Sequence, residues 1–137
     1  MSGIVPAIAL AREPEVAPRL VDHYPEPAAT NLRKYPWGTV EVLSLSGGHR
    51  VERICVKPGK DLPLHYHKFR SEHWTVVEGE GEVAIGDDVL LVASDDSLYI
   101  PAGVTHGLRA IDEQQIKIVA VHFGDTVSDI DDMFVAS

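Results

Sequence analysis

From Trp37 onward, apolar residues fall in short alternating or continuous runs, separated by Gly, Asp, Asn or Pro. The runs are 39–45, 50–57, 73–77, 82–85, 89–92, 97–100, 105–110 and 115–123. Breaks such as Ser46-Gly47-Gly48, Lys57-Pro58-Gly59, Gly86-Asp87-Asp88 and Pro101-Ala102-Gly103 lie between them. Each run has strand length and is rich in Val and Ile, and none sustains a period of 3.6 residues. Eight short strands at near-regular spacing predict an all-β sandwich or barrel.

Residues 1–30 differ. Five of the nine prolines (Pro6, Pro14, Pro18, Pro25 and Pro27) fall here, and periodicity is weak. The pattern predicts an extended, proline-rich N-terminal arm with one short helical turn, either set on the domain edge or on a second subunit or partly disordered. Residues 31–137 then form the folded domain.

Composition narrows the function. The chain has 137 residues, 45% of them apolar and 24% charged, which suits one globular domain. A net charge of −9 argues against nucleic acid and against an anionic membrane surface as partners. No apolar stretch reaches the length of a membrane span, and Met1–Ala11 lacks a signal peptide's basic start. Cys55 is the only cysteine, so no internal disulfide forms and a cytoplasmic setting is expected. Its place in Ile54-Cys55-Val56 reads as a small buried hydrophobe.

Charge is uneven: eight of the twelve Lys and Arg residues lie between Arg33 and Arg70, while Asp125, Asp129, Asp131 and Asp132 crowd the end. The basic stretch suits either a solvated sheet face or the capture of an anionic small molecule.

That stretch leads into the chemically informative segment. His65 and His67 are two apart, so on a strand both imidazoles share a face. Glu72 follows a turn around Lys68–Ser71 and returns on the neighbouring strand. His106 follows the turn residues Pro101-Ala102-Gly103. Three imidazoles and one carboxylate form a borderline ligand set for a divalent ion (Zn, Mn, Fe, Ni or Co), with positions left for water or substrate.

Gly59, His65, His67, Glu72 and Gly79 match the first cupin motif, G-x5-H-x-H-x4-E-x6-G, at every fixed position. Pro101, Gly103 and His106 match part of the second, with Asp95 and Ala110 at its first Gly and last Asn. The chain therefore resembles the cupins, which implies a double-stranded β-helix, or jelly-roll barrel, with the metal inside. More narrowly, Tyr35-Pro36-Trp37-Gly38, Val56-Lys57-Pro58-Gly59, Arg70-Ser71-Glu72-His73-Trp74 and Ser97-Leu98-Tyr99-Ile100-Pro101 resemble the type II mannose-6-phosphate isomerase domain, often fused behind a GDP-mannose pyrophosphorylase. His65 stands where that family usually has Gln. Nothing in the sequence corresponds to the nucleotidyltransferase part, so guanylyltransferase activity is not expected.

The resemblance implies aldose–ketose isomerisation of a phosphorylated sugar. Glu72 would sit at the metal, and Arg70 or Lys57 would hold the phosphate. Candidates for the base are Glu78, Glu82, His73 and His122; alternation turns His73 away from Glu72, and Tyr99 lines either the barrel mouth or the core. Two other functions fit the ligand set: another metal enzyme, such as a dioxygenase or lyase, or a non-enzymatic sugar-binding cupin. A homodimer is expected because the apolar strand Ile116–Val121 needs a cover.

Overall fold

The computed structural model describes residues 31–135. The expected N-terminal arm, 1–30, lies outside the described residues. Eleven strands follow in order: β1 (Asn31–Tyr35), β2 (Gly38–Leu45), β3 (His49–Val56), β4 (Asp61–Tyr66), β5 (Arg70–Glu78), β6 (Glu80–Ile85), β7 (Asp88–Ala93), β8 (Ser97–Ile100), β9 (His106–Ala110), β10 (Ile116–Gly124) and β11 (Met133–Phe134). A 3-10 turn, Asp129–Asp131, precedes β11. The strands pair antiparallel in two sheets, β1-β2-β3-β10-β5-β8 and β11-β4-β9-β6-β7, stacked as a jelly roll.

The eight predicted runs each fall on a strand, and β1, β4 and β11 are additional. Their patterns explain why. β1 reads Asn-Leu-Arg-Lys-Tyr, a mostly exposed edge strand. β4 carries Pro63, and its ladder with β9 is irregular between Leu62 and His65. β11 has only two residues.

The core lies between the sheets. Ile54, Val56, Trp74, Val76, Ile100, Ile116 and Ile118 of one sheet face Leu62, Val83, Val92, Leu108 and Ala110 of the other. The inward positions are not apolar along their whole length. Along β3 they read Arg50, Glu52, Ile54, Val56. Along β5 they read Arg70, Glu72, Trp74, Val76, and along β10 Ile116, Ile118, Ala120, His122. Register aligns the polar ends, because His122 pairs with both Arg50 and Glu72. Three adjacent strands thus change from apolar to polar at one level, and the barrel has a dry end and a charged end.

Two turns hold this arrangement. Gly79 has φ 88°, and a Cβ there would stand 2.2 Å from the Gln115 carbonyl oxygen. Only glycine fits between β5 and β6. Asp95, in place of the motif's glycine, has φ 81°. Aspartate is among the few residues that tolerate the left-handed region, so the turn survives the departure.

Strand β10 is central rather than in need of a cover: Ile116, Ile118 and Ala120 face the core, while Val119 and Val121 are half-buried on the outer side. Cys55 shares that outer side of the sheet and is half-buried, not a core residue, because alternation in β3 sends Ile54 and Val56 inward instead.

Candidate metal centre

The charged end of the barrel gathers four donors. His65 lies on β4, and His67 just past its end. Glu72 sits on β5, and His106 opens β9 opposite His65. All four are buried, and their ligand atoms lie within 4.8 Å of one another.

Hydrogen bonds fix the rings. Nδ1 of His65 donates to the Pro63 carbonyl at 2.8 Å, and Nδ1 of His106 to that of Val104 at 2.9 Å. Nδ1 of His67 lies 3.2 Å from the Asp131 carbonyl and 3.2 Å from Asp132 Oδ1. With the Nδ1 protons so engaged, each Nε2 offers a lone pair. Glu72 Oε2 stands 2.9 Å from Nε2 of both His67 and His106. These three atoms are buried and make no hydrogen bond. Acceptors converging at that distance repel unless a cation or a proton lies between them. The donor set therefore fits a divalent ion, which His65, His67, Glu72 and His106 would hold. The second oxygen of Glu72, Oε1, accepts from Trp74 Nε1 at 2.7 Å, which leaves Oε2 free for the ion.

Without a metal, the same contacts set the protonation. Burial works against charge on Glu72, but His106 and His67 outweigh it and hold its carboxyl well below the usual range. Burial also opposes a charged His67, yet its hydrogen bond with Asp132 and its contact with Glu72 prevail and raise its pKa to about 9. For His65 burial dominates, aided by His106, and lowers the pKa to about 4.

A polar layer surrounds the donors. Arg70 Nε donates to His122 Nδ1 at 2.8 Å, so the His122 proton sits on Nε2, 3.1 Å from Glu52 Oε1. Glu52 Oε2 meets Arg50 Nε at 2.6 Å. The chain after β10 then folds over this end. Arg50 Nη1 reaches the Val127 carbonyl and Asp129 Oδ1, both at 3.0 Å. Arg70 Nη1 reaches the Ser128 carbonyl at 3.0 Å, and Nη2 reaches Asp132 Oδ1 at 2.8 Å. Asp131 is buried, and its carboxylate accepts from Lys68 N at 2.8 Å and Phe69 N at 2.9 Å. It thereby clamps the turn between His67 and Glu72. A cavity of about 270 Å³ opens above the donors, walled by Trp37, Tyr35 and Phe134 as well as by charged groups.

The four expected metal ligands are brought together. Arg70 lines the cavity, but all three of its nitrogens are spent on protein acceptors. Lys57 is exposed just past β3 and does not line the cavity. Of the candidate bases only His122 reaches the cavity. His73 points outward against Tyr99, with ring centroids 4.8 Å apart. Glu78 is exposed beside Lys117, and Glu82 lines a groove on the other sheet. Arg50, Glu52, Asp129, Asp131 and Asp132 were not singled out as site residues by sequence reasoning. Strand parity carries the signal for the first two, since Arg50 and Glu52 alternate in phase with Ile54 and Val56.

Residues 27–135 match the family described as mannose-6-phosphate isomerase, C-terminal. The chain belongs to this family. Among relatives, the xanthan biosynthesis protein XanB of Xanthomonas campestris pv. campestris is 41% identical over 96 residues, which is 70% of this chain and 21% of that protein. The mannose-1-phosphate guanylyltransferase of Escherichia coli K12 is 35% identical over 96 residues, again 70% of this chain and 20% of that one. This member thus spans about a fifth of the length of the curated relatives it matches. Its fold is that of the cupins. Oxalate decarboxylase from Bacillus subtilis superposes with a TM-score of 0.70 at 23% identity, over 77% of this chain and 30% of that one. The cupin domain of Schizosaccharomyces pombe Cnp3 gives 0.64 at 16%, over 73% and 72%. No helix among the described residues is long and apolar enough to cross a membrane.

Proposed function

We propose that this cupin is a metal-dependent isomerase acting on a sugar phosphate. The observation that carries the reading is the convergence of His67, Glu72 and His106 acceptors, unsatisfied, at the floor of a cavity with arginines in its wall. The family's description, mannose-6-phosphate isomerase, C-terminal, supports the reaction type. A bound divalent ion would polarise the adjacent carbonyl and hydroxyl oxygens of an open-chain sugar.

The chain's own residues supply the rest. Trp74 holds Glu72 in one orientation through Oε1. The aromatic wall limits water at the floor. Isomerisation moves one proton between adjacent carbons, and the hydrogen-bonded His122–Glu52 pair on the cavity wall would exchange it through Glu52, because Arg70 occupies His122 Nδ1. Arg70 acts by fixing the His122 tautomer and the Asp132 strap, and the anion is left to other arginines. A reduced compartment fits the lone, unpaired Cys55. Homodimerisation belongs to the same reading, with the outer face around Val119, Val121 and Phe123 as the contact; a monomer by light scattering at micromolar concentration removes it.

The test is a coupled assay with mannose 6-phosphate on metal-analysed protein. Turnover that is abolished by chelation and by Glu72→Gln supports the isomerase. No turnover at full metal occupancy overturns it.

A further inference from the structure

We propose that Arg33 and Arg50 form the binding site for a phosphate group of the ligand, and that Asp129 occupies this site until the ligand arrives. That the phosphate is carried by a sugar rests on the isomerase reading above.

The two arginines come from β1 and β3, on either side of β2, and both reach the cavity wall. The Asp129 carboxylate divides its oxygens between them. Oδ2 accepts from Arg33 Nη1, and Oδ1 accepts from Arg50 Nη1 at 3.0 Å. One oxyanion bridged by two guanidinium groups is the arrangement that a phosphate monoester would take, with more charge and a third oxygen. The protein thus carries its own stand-in for the ligand.

Placement makes the exchange feasible. The side chains of Asp129 and Arg33 are 44% and 37% exposed, so a solute anion reaches them without crossing the core. Arg50 is buried, its charge is paired with Glu52 at 2.6 Å, and its Nη1 is held in place by the Val127 carbonyl at 3.0 Å. Two residues on, Asp131 is anchored in the protein by Lys68 and Phe69. Asp129 can therefore leave without dragging Asp131 from the turn between the metal ligands. The other charges near the site are not free for this task. Arg70 has a protein acceptor on each of its three nitrogens, and Lys57 lies elsewhere.

A resident carboxylate lowers apparent affinity by the fraction of molecules in which it holds the clamp. Removing its charge should restore that loss. Exposed ion pairs are weak, so the gain is modest: about five- to tenfold for Asp129→Asn. Arg33→Gln removes one of the two guanidinium groups and should weaken phosphate binding about tenfold. Both changes are at exposed side chains, and circular dichroism checks that both variants fold.

The experiment is isothermal titration of the full chain, loaded with Mn(II), with inorganic phosphate, mannose 6-phosphate and mannose. The expected result is tighter binding of both phosphates by Asp129→Asn, weaker binding of both by Arg33→Gln, and no effect of either on mannose. Phosphate affinities equal to the native one in either variant, as when the anion sits on the metal alone, overturn the clamp. The two readings fail separately. Phosphate binding that follows the variants without turnover sinks the isomerase and leaves the clamp, whereas turnover with variant-independent binding does the reverse.

Discussion

His67 Nε2 and Glu72 Oε2 stand 2.9 Å apart in the charged end of the barrel, and neither makes a hydrogen bond. The pair is stable only with positive charge between or on it. A metal supplies that charge in one state, and a proton on His67 supplies it in the other. The site is therefore a place where metal and proton compete.

The first prediction concerns the ligand assignment. His67→Ala should lower metal affinity by at least about a hundredfold, beyond what loss of an outer partner costs. His49→Ala should leave it unchanged, because the His49 ring bonds Ser46 Oγ at the start of β3 and does not line the cavity. Elemental analysis after dialysis against limiting metal distinguishes the two. Equal occupancy in both variants would remove His67 from the site.

The second prediction is a pH profile of the metal-free protein. His67 has its pKa raised from 6.5 to about 9, so the folded state binds the extra proton between those values. Its contribution to stability is full below pH 6.5 and is lost as pH rises through 9. His65 has its pKa lowered to about 4, so its neutral form stabilises the fold above pH 6.5, and that contribution is lost as pH falls through 4. Together they place the stability maximum near pH 6.5. In thermal melts, His67→Gln should flatten the alkaline limb and leave the acid limb in place. An alkaline limb of native steepness in that variant would show that His67 does not carry the proton. In the same pH range metal uptake should release a proton, seen as a buffer-dependent heat in titration calorimetry.

How far these groups were legible in the sequence differs by element. The donor cluster was legible because His65, His67 and Glu72 sit within eight residues at strand spacing, and His106 follows a marked turn. The jelly roll was legible in the short runs broken by Gly and Asp. The covering segment was not. Asp129, Asp131 and Asp132 look like a solvated acidic tail, because a charge run carries no sign of what lies under it. Their partners, Arg50, Arg70 and the Lys68–Phe69 amides, are some sixty to eighty positions away in the chain. Arg70 was misleading for the same reason: an arginine beside a ligand looks free until the tail that saturates it is in place.

The third prediction tests that tail. Asp131→Asn keeps the size of the side chain but turns an amide NH2 toward Lys68 N or Phe69 N, leaving one backbone donor unsatisfied in a buried place. Loss of a hydrogen bond to a buried charge costs about 2–3 kcal/mol. Denaturant unfolding of the metal-free chain should show that loss. Metal affinity should also fall about tenfold, because the turn that sets the distance from His67 to Glu72 loosens. A variant as stable as the native chain would mean the clamp is dispensable.

The last prediction separates orientation from ligation. Trp74 is fully buried, and its indole Nε1 holds Glu72 Oε1 at 2.7 Å. Trp74→Phe removes that donor and part of the ring while keeping an aromatic in the core. The smaller ring should destabilise the fold by about 1–3 kcal/mol through the space it leaves. Glu72 Oε1 is then left with only the His122 Nε2 contact at 3.4 Å. Loss of the orienting bond from Trp74 should change the Mn(II) electron paramagnetic spectrum and weaken binding roughly tenfold. A purely structural tryptophan would give the stability loss with an unaltered spectrum. The spectrum therefore decides whether Trp74 shapes the metal site or only fills the core beside it.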